Sequence, residues 1–125
     1  MKKLLLVFVA VAVVVLACTA GFAAEKKIVV GFAQIGAESD WRVANTNSIK
    51  KACEEAGIDL RFVDAQQKQE NQIKALRDFI TQGVDVIGFA PVVESGWDEV
   101  IAEINEAGIP LILSDRTTDI MQWTK

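Results

Sequence analysis

The densest set of chemically able side chains in this sequence is Glu38-Ser39-Asp40-Trp41-Arg42. It places an indole, a guanidinium, two carboxylates and a hydroxyl within five consecutive residues. Such a set suits a neutral polyol: an aromatic face packs on sugar C–H groups, while carboxylates and a guanidinium form charge-assisted hydrogen bonds with hydroxyls. A phosphate fits poorly, because Glu38 and Asp40 would repel it. Gly31 and Gly36 do not make the G-x-G-x-x-G spacing, and no Gly-Lys-Ser/Thr follows. A second candidate is Asp115-Arg116, where an apolar run breaks abruptly into charge. Its carboxylate can accept two hydroxyls, and its guanidinium presents a rigid donor fork. A plainer account covers the same residues: Asp40 caps a helix, Trp41 packs in the core and Arg42 is solvated. Asp115-Arg116 is then a surface ion pair worth under about 1 kcal/mol. Residue types alone leave both accounts open.

Composition removes whole classes of chemistry. The 125 residues include no His, which excludes His-based acid–base catalysis, Ser-His-Asp and Cys-His nucleophiles and most zinc sites. Of the two Cys, Cys18 lies in the apolar start of the chain, so Cys53 has no intrachain disulfide partner beyond it. Cys53 is expected to be a small core residue. With Lys2 and Lys3 taken from the 13 basic residues, 11 remain against 17 acidic ones. An acidic domain without a basic cluster is a poor nucleic-acid binder, because phosphate neutralisation supplies most of that affinity. No paired carboxylates stand outside the 38–42 loop, so an enzyme is not expected, nor a cofactor or metal.

The start of the chain bears on compartment. Lys2 and Lys3 precede a stretch from Leu4 to Ala24 without any charge. A basic start, an apolar run and small residues at Gly21 and Ala23 predict a signal peptide over residues 1–23 and a mature domain over 24–125. Val15-Leu16-Ala17-Cys18 also resembles a lipoprotein box, which would leave the domain anchored through a lipid on Cys18. The 21 uncharged residues also reach the ~20 needed to span a bilayer as an uncleaved anchor. All three readings export the domain.

The elements that must position the candidate residues alternate in type. Ile28–Ala33 reads as a buried strand, and Trp41–Ala56 as a helix with a stripe at 41, 44, 48, 49, 52, 53 and 56. Leu60–Val63 is a second strand, and Ile73, Leu76, Phe79 and Ile80 mark a second helix. Val84–Ala90 is a third strand. Ser95 is expected to cap a third helix, with Asp98 as a capping-box-like partner, and Pro110–Leu113 forms a fourth strand. Gly57, Gly83 and Gly108 end the three helices at spacings of 26 and 25 residues, one helix-plus-strand unit. This pattern predicts an α/β fold with a doubly wound, Rossmann-like parallel sheet. In such sheets ligands bind beyond the carboxyl ends of the strands, where both candidate segments fall. The stretch 66–72 is also at that end, and its Gln side chains are read as a helix entry. Four strands are fewer than the usual five or six, and nothing terminates the chain after Asp119. An N-terminal fragment of a longer protein is therefore expected, with Met121 and Trp123 exposed unless something covers them.

Several strings resemble a known family. Val30-Gly31-Phe32-Ala33-Gln34-Ile35-Gly36, Glu38-Ser39-Asp40-Trp41-Arg42, Gln66-Gln67-Lys68-Gln69-Glu70-Asn71-Gln72-Ile73-Lys74-Ala75, Gly88-Phe89-Ala90-Pro91-Val92-Val93 and Leu113-Ser114-Asp115-Arg116 stand in order and spacing similar to the periplasmic sugar-binding proteins of ABC transporters, ribose/galactose group. The resemblance spans residues 27–119. It implies a partial N-terminal lobe of a two-lobed type I periplasmic binding protein. It also implies that Glu38, Ser39, Asp40, Trp41 and Arg42, with Asp115 and Arg116, line the sugar site from this lobe. The implied ligand is a monosaccharide, a furanose-form hexose such as galactofuranose or a related hexose or pentose. The implied partner is an ABC permease in the cytoplasmic membrane, served by a monomeric protein in the periplasm. Asp40 departs from the pattern, which usually has Gly there; the added carboxylate would gain a hydroxyl contact or alter the preferred sugar. A sugar-sensing lobe for a chemoreceptor or membrane-bound regulator uses the same fold and remains the alternative.

Overall fold

The computed structural model describes residues 26–120. The expected signal peptide, Cys18, Met121 and Trp123 lie outside the described residues.

Among the described residues seven elements alternate: β1 (Val29–Gln34), α1 (Asp40–Glu55), β2 (Asp59–Asp64), α2 (Gln69–Gln82), β3 (Val86–Phe89), α3 (Asp98–Glu106) and β4 (Leu111–Leu113). They differ from the expected bounds mostly by one or two residues, the usual uncertainty at element ends. The second helix starts four residues earlier than its first expected apolar mark, at Gln69. The four strands form one parallel sheet in the order β2-β1-β3-β4, with Val29 opposite Asp59 and Gln34 opposite Asp64. β3 pairs with β1 on the other side and with β4 beyond it. The chain steps left after β1 and right after β2 and β3, so right-handed crossovers put α1 on one face and α2 and α3 on the other. This is the doubly wound α/β architecture.

The two faces are packed differently. Gly31 and Ala33 of β1 turn toward α2, where they meet Phe79, Leu76 and Ala75. Ile87 and Phe89 of β3 join Trp97, Val100 and Ile104 in the same buried cluster. Gly31 is required by close approach, since a Cβ there would sit 2.5 Å from the Phe79 ring. On the other face Phe32 stacks on Phe62, with ring centroids 6.4 Å apart, and Lys50 of α1 lies over the Phe62 ring.

Two expectations are corrected. The stripe expected to face inward on the first helix does not: Trp41, Ala44, Ser48, Ala52 and Ala56 are exposed. The inward face is Arg42, Asn45, Thr46, Ile49 and Cys53, so α1 presents polar groups to the sheet near its start and apolar ones near its end. Cys53 is half-buried there. Likewise, Ser95 does not cap α3. The helix begins at Asp98 with Trp97 in the cap position and no side-chain cap bond. Gly96, at φ +83°, turns the chain so that the Trp97 ring is fully buried against Phe89, with centroids 5.0 Å apart. Burying an indole is worth more than the roughly 1 kcal/mol of a cap.

Candidate functional site

The carboxyl ends of β1 and β4 converge on one buried guanidinium. Ser39 ends the β1 loop in an extended conformation, and its hydroxyl accepts the Arg42 backbone N–H at 3.2 Å. Ser39, rather than Asp40, is thus the side chain that caps α1. That cap starts the helix so that the third residue inside it, Arg42, points at the sheet. Arg42 is only 3% exposed, the reverse of a solvated surface arginine.

The guanidinium is held from three sides. Nε donates to Glu38 Oε1 at 2.9 Å, Nη2 to Asp115 Oδ2 at 2.8 Å and Nη1 to Gln34 Oε1 at 3.3 Å. It therefore joins β1, the loop before α1 and the turn after β4. Burial alone would disfavour its charge, but the hydrogen bonds from it to Glu38 and Asp115, with their charges, outweigh that and raise its pKa above the ordinary arginine value. The same competition acts on Glu38. Burial pushes its carboxyl up, but the Arg42 hydrogen bond, a backbone hydrogen bond and the charges of Arg42 and Arg116 hold it below the usual 4.5.

Asp115 takes part through an uncommon backbone geometry. Its φ is +69°, and Arg116 N–H donates to Ser114 O at 2.8 Å, closing a three-residue turn around it. Aspartate tolerates this left-handed region better than most residues, and such turns are rare and concentrate at functional sites. The turn sends the Asp115 carboxylate back to Arg42 and the Arg116 side chain outward. Arg116 is half-exposed, donates Nη1–H to Val92 O at 3.3 Å and lies 3.9 Å from Asp115 Oδ2.

Trp41 is 55% exposed, not packed in the core. Its ring lies 4.9 Å from Arg42 Cζ, a cation–π contact made by a side chain that stays largely exposed. Asp40 is exposed in the first turn of α1. The structure thus brings Glu38, Trp41, Arg42 and Asp115 into one cluster, with Arg116 at its edge, Ser39 in a capping role and Asp40 beside it. Arg42 spends three of its five N–H groups inside the protein, and Glu38 and Asp115 each keep an oxygen free of it. What remains for a ligand is a polar surface beside an aromatic ring: carboxylate oxygens that accept from hydroxyls and guanidinium N–H groups that donate to them. Among the described residues, no group of three or more His, Cys, Asp and Glu is arranged to hold a metal ion.

Two buried glutamines escaped the reading of residue types. Gln34, at the end of β1, is fully buried and bonds Arg42. Gln72 of α2 is also fully buried; its amide donates to Ala90 O at 2.6 Å and accepts the Val92 N–H at 2.9 Å, fixing the loop that Arg116 leans on. A polar residue inside an otherwise apolar strand was the available signal for Gln34. Gln69 begins α2, and its Nε2 donates to Ser95 O at 2.7 Å.

Comparison with known proteins gives a consistent neighbourhood. The sequence matches the family described as periplasmic binding protein domain over residues 30–123. The galactofuranose-binding protein YtfQ of Escherichia coli (strain K12) is 50% identical over 104 residues, 83% of this chain and 33% of that protein. A crystal structure from Mycobacterium smegmatis in complex with β-D-fucofuranose superposes with a TM-score of 0.75 at 59% identity, over 78% of this chain and 32% of that one. The periplasmic binding protein component of the arabinose ABC transporter from Shewanella sp. ANA-3, bound to α- and β-L-arabinofuranose, gives 0.74 at 52% identity, over 75% and 31%. The chain spans about a third of the length of the curated relatives it matches.

Proposed function

The chain belongs to the periplasmic binding protein family, and from that premise we propose that it captures a monosaccharide outside the cytoplasm for delivery to an ABC permease. The favoured ligand is a furanose-form sugar: galactofuranose, or a related hexose or pentose. The observation that carries this reading is the Glu38–Arg42–Asp115 cluster beside the exposed Trp41. It offers hydroxyl partners on one side and a C–H-packing ring on the other, at the strand ends where this fold binds ligands. Relatives at about half identity are named for galactofuranose or solved with fucofuranose and arabinofuranose. The transport role is preferred over sensing because the arabinofuranose-bound relative is a transporter component.

In this reading residues 1–23 are an export signal, with lipidation at Cys18 as the alternative, and 24–125 form part of the first of two lobes. The protein acts as a monomer in the periplasm and releases the sugar unchanged. Glu38, Asp115 and Arg42 bond hydroxyls, Trp41 packs on the ring, and Ser39, Asp40 and Arg116 line the edge. Much of the affinity comes from enclosing the sugar between lobes, which excludes water from these bonds.

A thermal-shift panel on the whole exported protein tests this. D-galactose, L-arabinose and D-fucose, each containing its furanose form at equilibrium, are expected to raise Tm, and galacturonate to leave it unchanged. Stabilisation by the uronate alone, or by no sugar in the panel, overturns the reading. Recovery of the bound sugar unaltered after prolonged incubation is expected; a chemically changed product would mean catalysis.

A further inference from the structure

Gln34 ends β1 and is wholly buried, so it touches no ligand arriving from solvent. Its amide nevertheless uses every hydrogen-bonding position it has. Oε1 accepts from the Ile35 N–H at 3.1 Å and from Arg42 Nη1 at 3.3 Å. Nε2 donates to Asn45 Oδ1 at 2.9 Å and to Thr46 Oγ1 at 3.1 Å. The amide can sit only one way round. Ile35 N–H and the guanidinium are donors without acceptor capacity, so the oxygen must face them and the nitrogen must face α1. A fully satisfied buried polar group is rigid, and removing it orphans its partners.

That rigidity has a direction. Asn45 and Thr46 of α1 hold Gln34, Gln34 holds the inner nitrogen of Arg42, and the remaining two edges of the same planar fork reach Glu38 and Asp115. A guanidinium is flat, so fixing Nη1 fixes the plane in which Nε and Nη2 point. We propose that Gln34 is a positioning residue of the sugar site: it sets the plane of Arg42 so that one fork binds Glu38 and Asp115 together and presents their free oxygens to the ligand. This rests on the sugar-binding reading for its consequence, but not for its geometry.

The test uses the whole exported protein with Gln34→Met, which keeps the volume and removes the amide. Ile104→Val, in the buried cluster on the opposite face, supplies a destabilised control away from the site. Two readouts are taken: calorimetric affinity for D-galactose and L-arabinose, and the nitrogen-15 NMR signal of Arg42 Nε–H. Gln34→Met is expected to weaken binding at least about tenfold, while Ile104→Val keeps the wild-type affinity. Adding Asp115→Asn to Gln34→Met is expected to cost less than Asp115→Asn alone, because both act on one fork. The Arg42 Nε–H signal should shift and exchange faster with water in Gln34→Met and stay unchanged in Ile104→Val. An affinity loss no greater than that of Ile104→Val, or losses that add in full, overturns the proposal. If the wild type binds neither sugar, the functional reading fails on its own and the NMR signal decides: an unchanged signal in Gln34→Met sinks the positioning role, a shifted one supports it. Should Gln34→Met not fold, Thr46→Val removes only an outer anchor of the amide. It is expected to cause a smaller loss and signal change in the same direction, and no change counts against the proposal.

Discussion

Arg42 is a buried hub of the fold and, in the proposed site, also a binding group, and this decides what its neighbours' substitutions do. Removing one partner of a buried charge costs more than the pair contributes, because the other charge is left unpaired. Asp115→Asn, which tolerates the same left-handed backbone, leaves Nη2 with a neutral acceptor. It is expected to lower stability by about 1–3 kcal/mol in urea titrations. Arg42→Ala should cost more than Asp115→Asn, since it orphans Glu38, Asp115 and Gln34 together. Glu38 also predicts a pH response. Its folded pKa lies below 4.5, so the stability it contributes is present above that value and is lost as pH falls through the lower folded one. The Tm difference between wild type and Glu38→Gln should therefore be open at about pH 6 and narrow as the pH is taken below 4.5. A constant difference across that range would show that the Arg42 contact does not favour the ionised form. At this scale the sequence pointed to Glu38, Trp41, Arg42 and Asp115, because charge and an indole at strand ends are visible in residue types. It did not show that Arg42 is buried, since that depends on acceptors 73 residues away in Asp115 and on Gln34 inside the apolar strand.

The elements were legible where apolar runs and glycines carry them. Helix ends at Gly57, Gly83 and Gly108 and the four strands follow from periodicity and backbone rules. The inward face of α1 was not legible, because its first half meets the polar Gln34–Arg42 hub and so reads as a solvent face. The start of α3 departs from local rules for a related reason: burial of Trp97 overrides the local capping preference of Ser95. Two glycines separate kinds of constraint. Gly31→Ala pushes a methyl into the Phe79 ring and is expected to cost about 1–3 kcal/mol, partly recovered by Phe79→Leu. Gly83→Ala meets nothing within 4 Å but must hold φ at +63°, for about 1 kcal/mol that no second substitution in the core recovers. Urea titrations of the three single variants and the two doubles with Phe79→Leu check this, and recovery of Gly83→Ala by Phe79→Leu would contradict it.

Across the whole molecule the sheet is covered unequally. α2 and α3 bury one face, whereas on the α1 face Ile112 remains 58% exposed, with Ile28 at 55% just ahead of β1. Together with a length about a third that of the matched relatives, this predicts that residues 24–125 by themselves are marginally stable. They are also expected to bind sugar at least about tenfold more weakly than the same residues within a chain of the relatives' length. Equal affinity of the two by calorimetry would mean that one lobe suffices. The central claim, that the Arg42 cluster is a sugar site, has a more direct test. Titrate the whole protein and its Arg42→Lys variant with L-arabinose and D-galactose in a calorimeter. Lysine keeps the charge but cannot reach Glu38, Asp115 and Gln34 with one planar fork. Saturable one-site binding by the wild type, weakened at least about tenfold in Arg42→Lys, is the predicted result. Equal affinity in both proteins, or no heat from either sugar with the wild type, would contradict it.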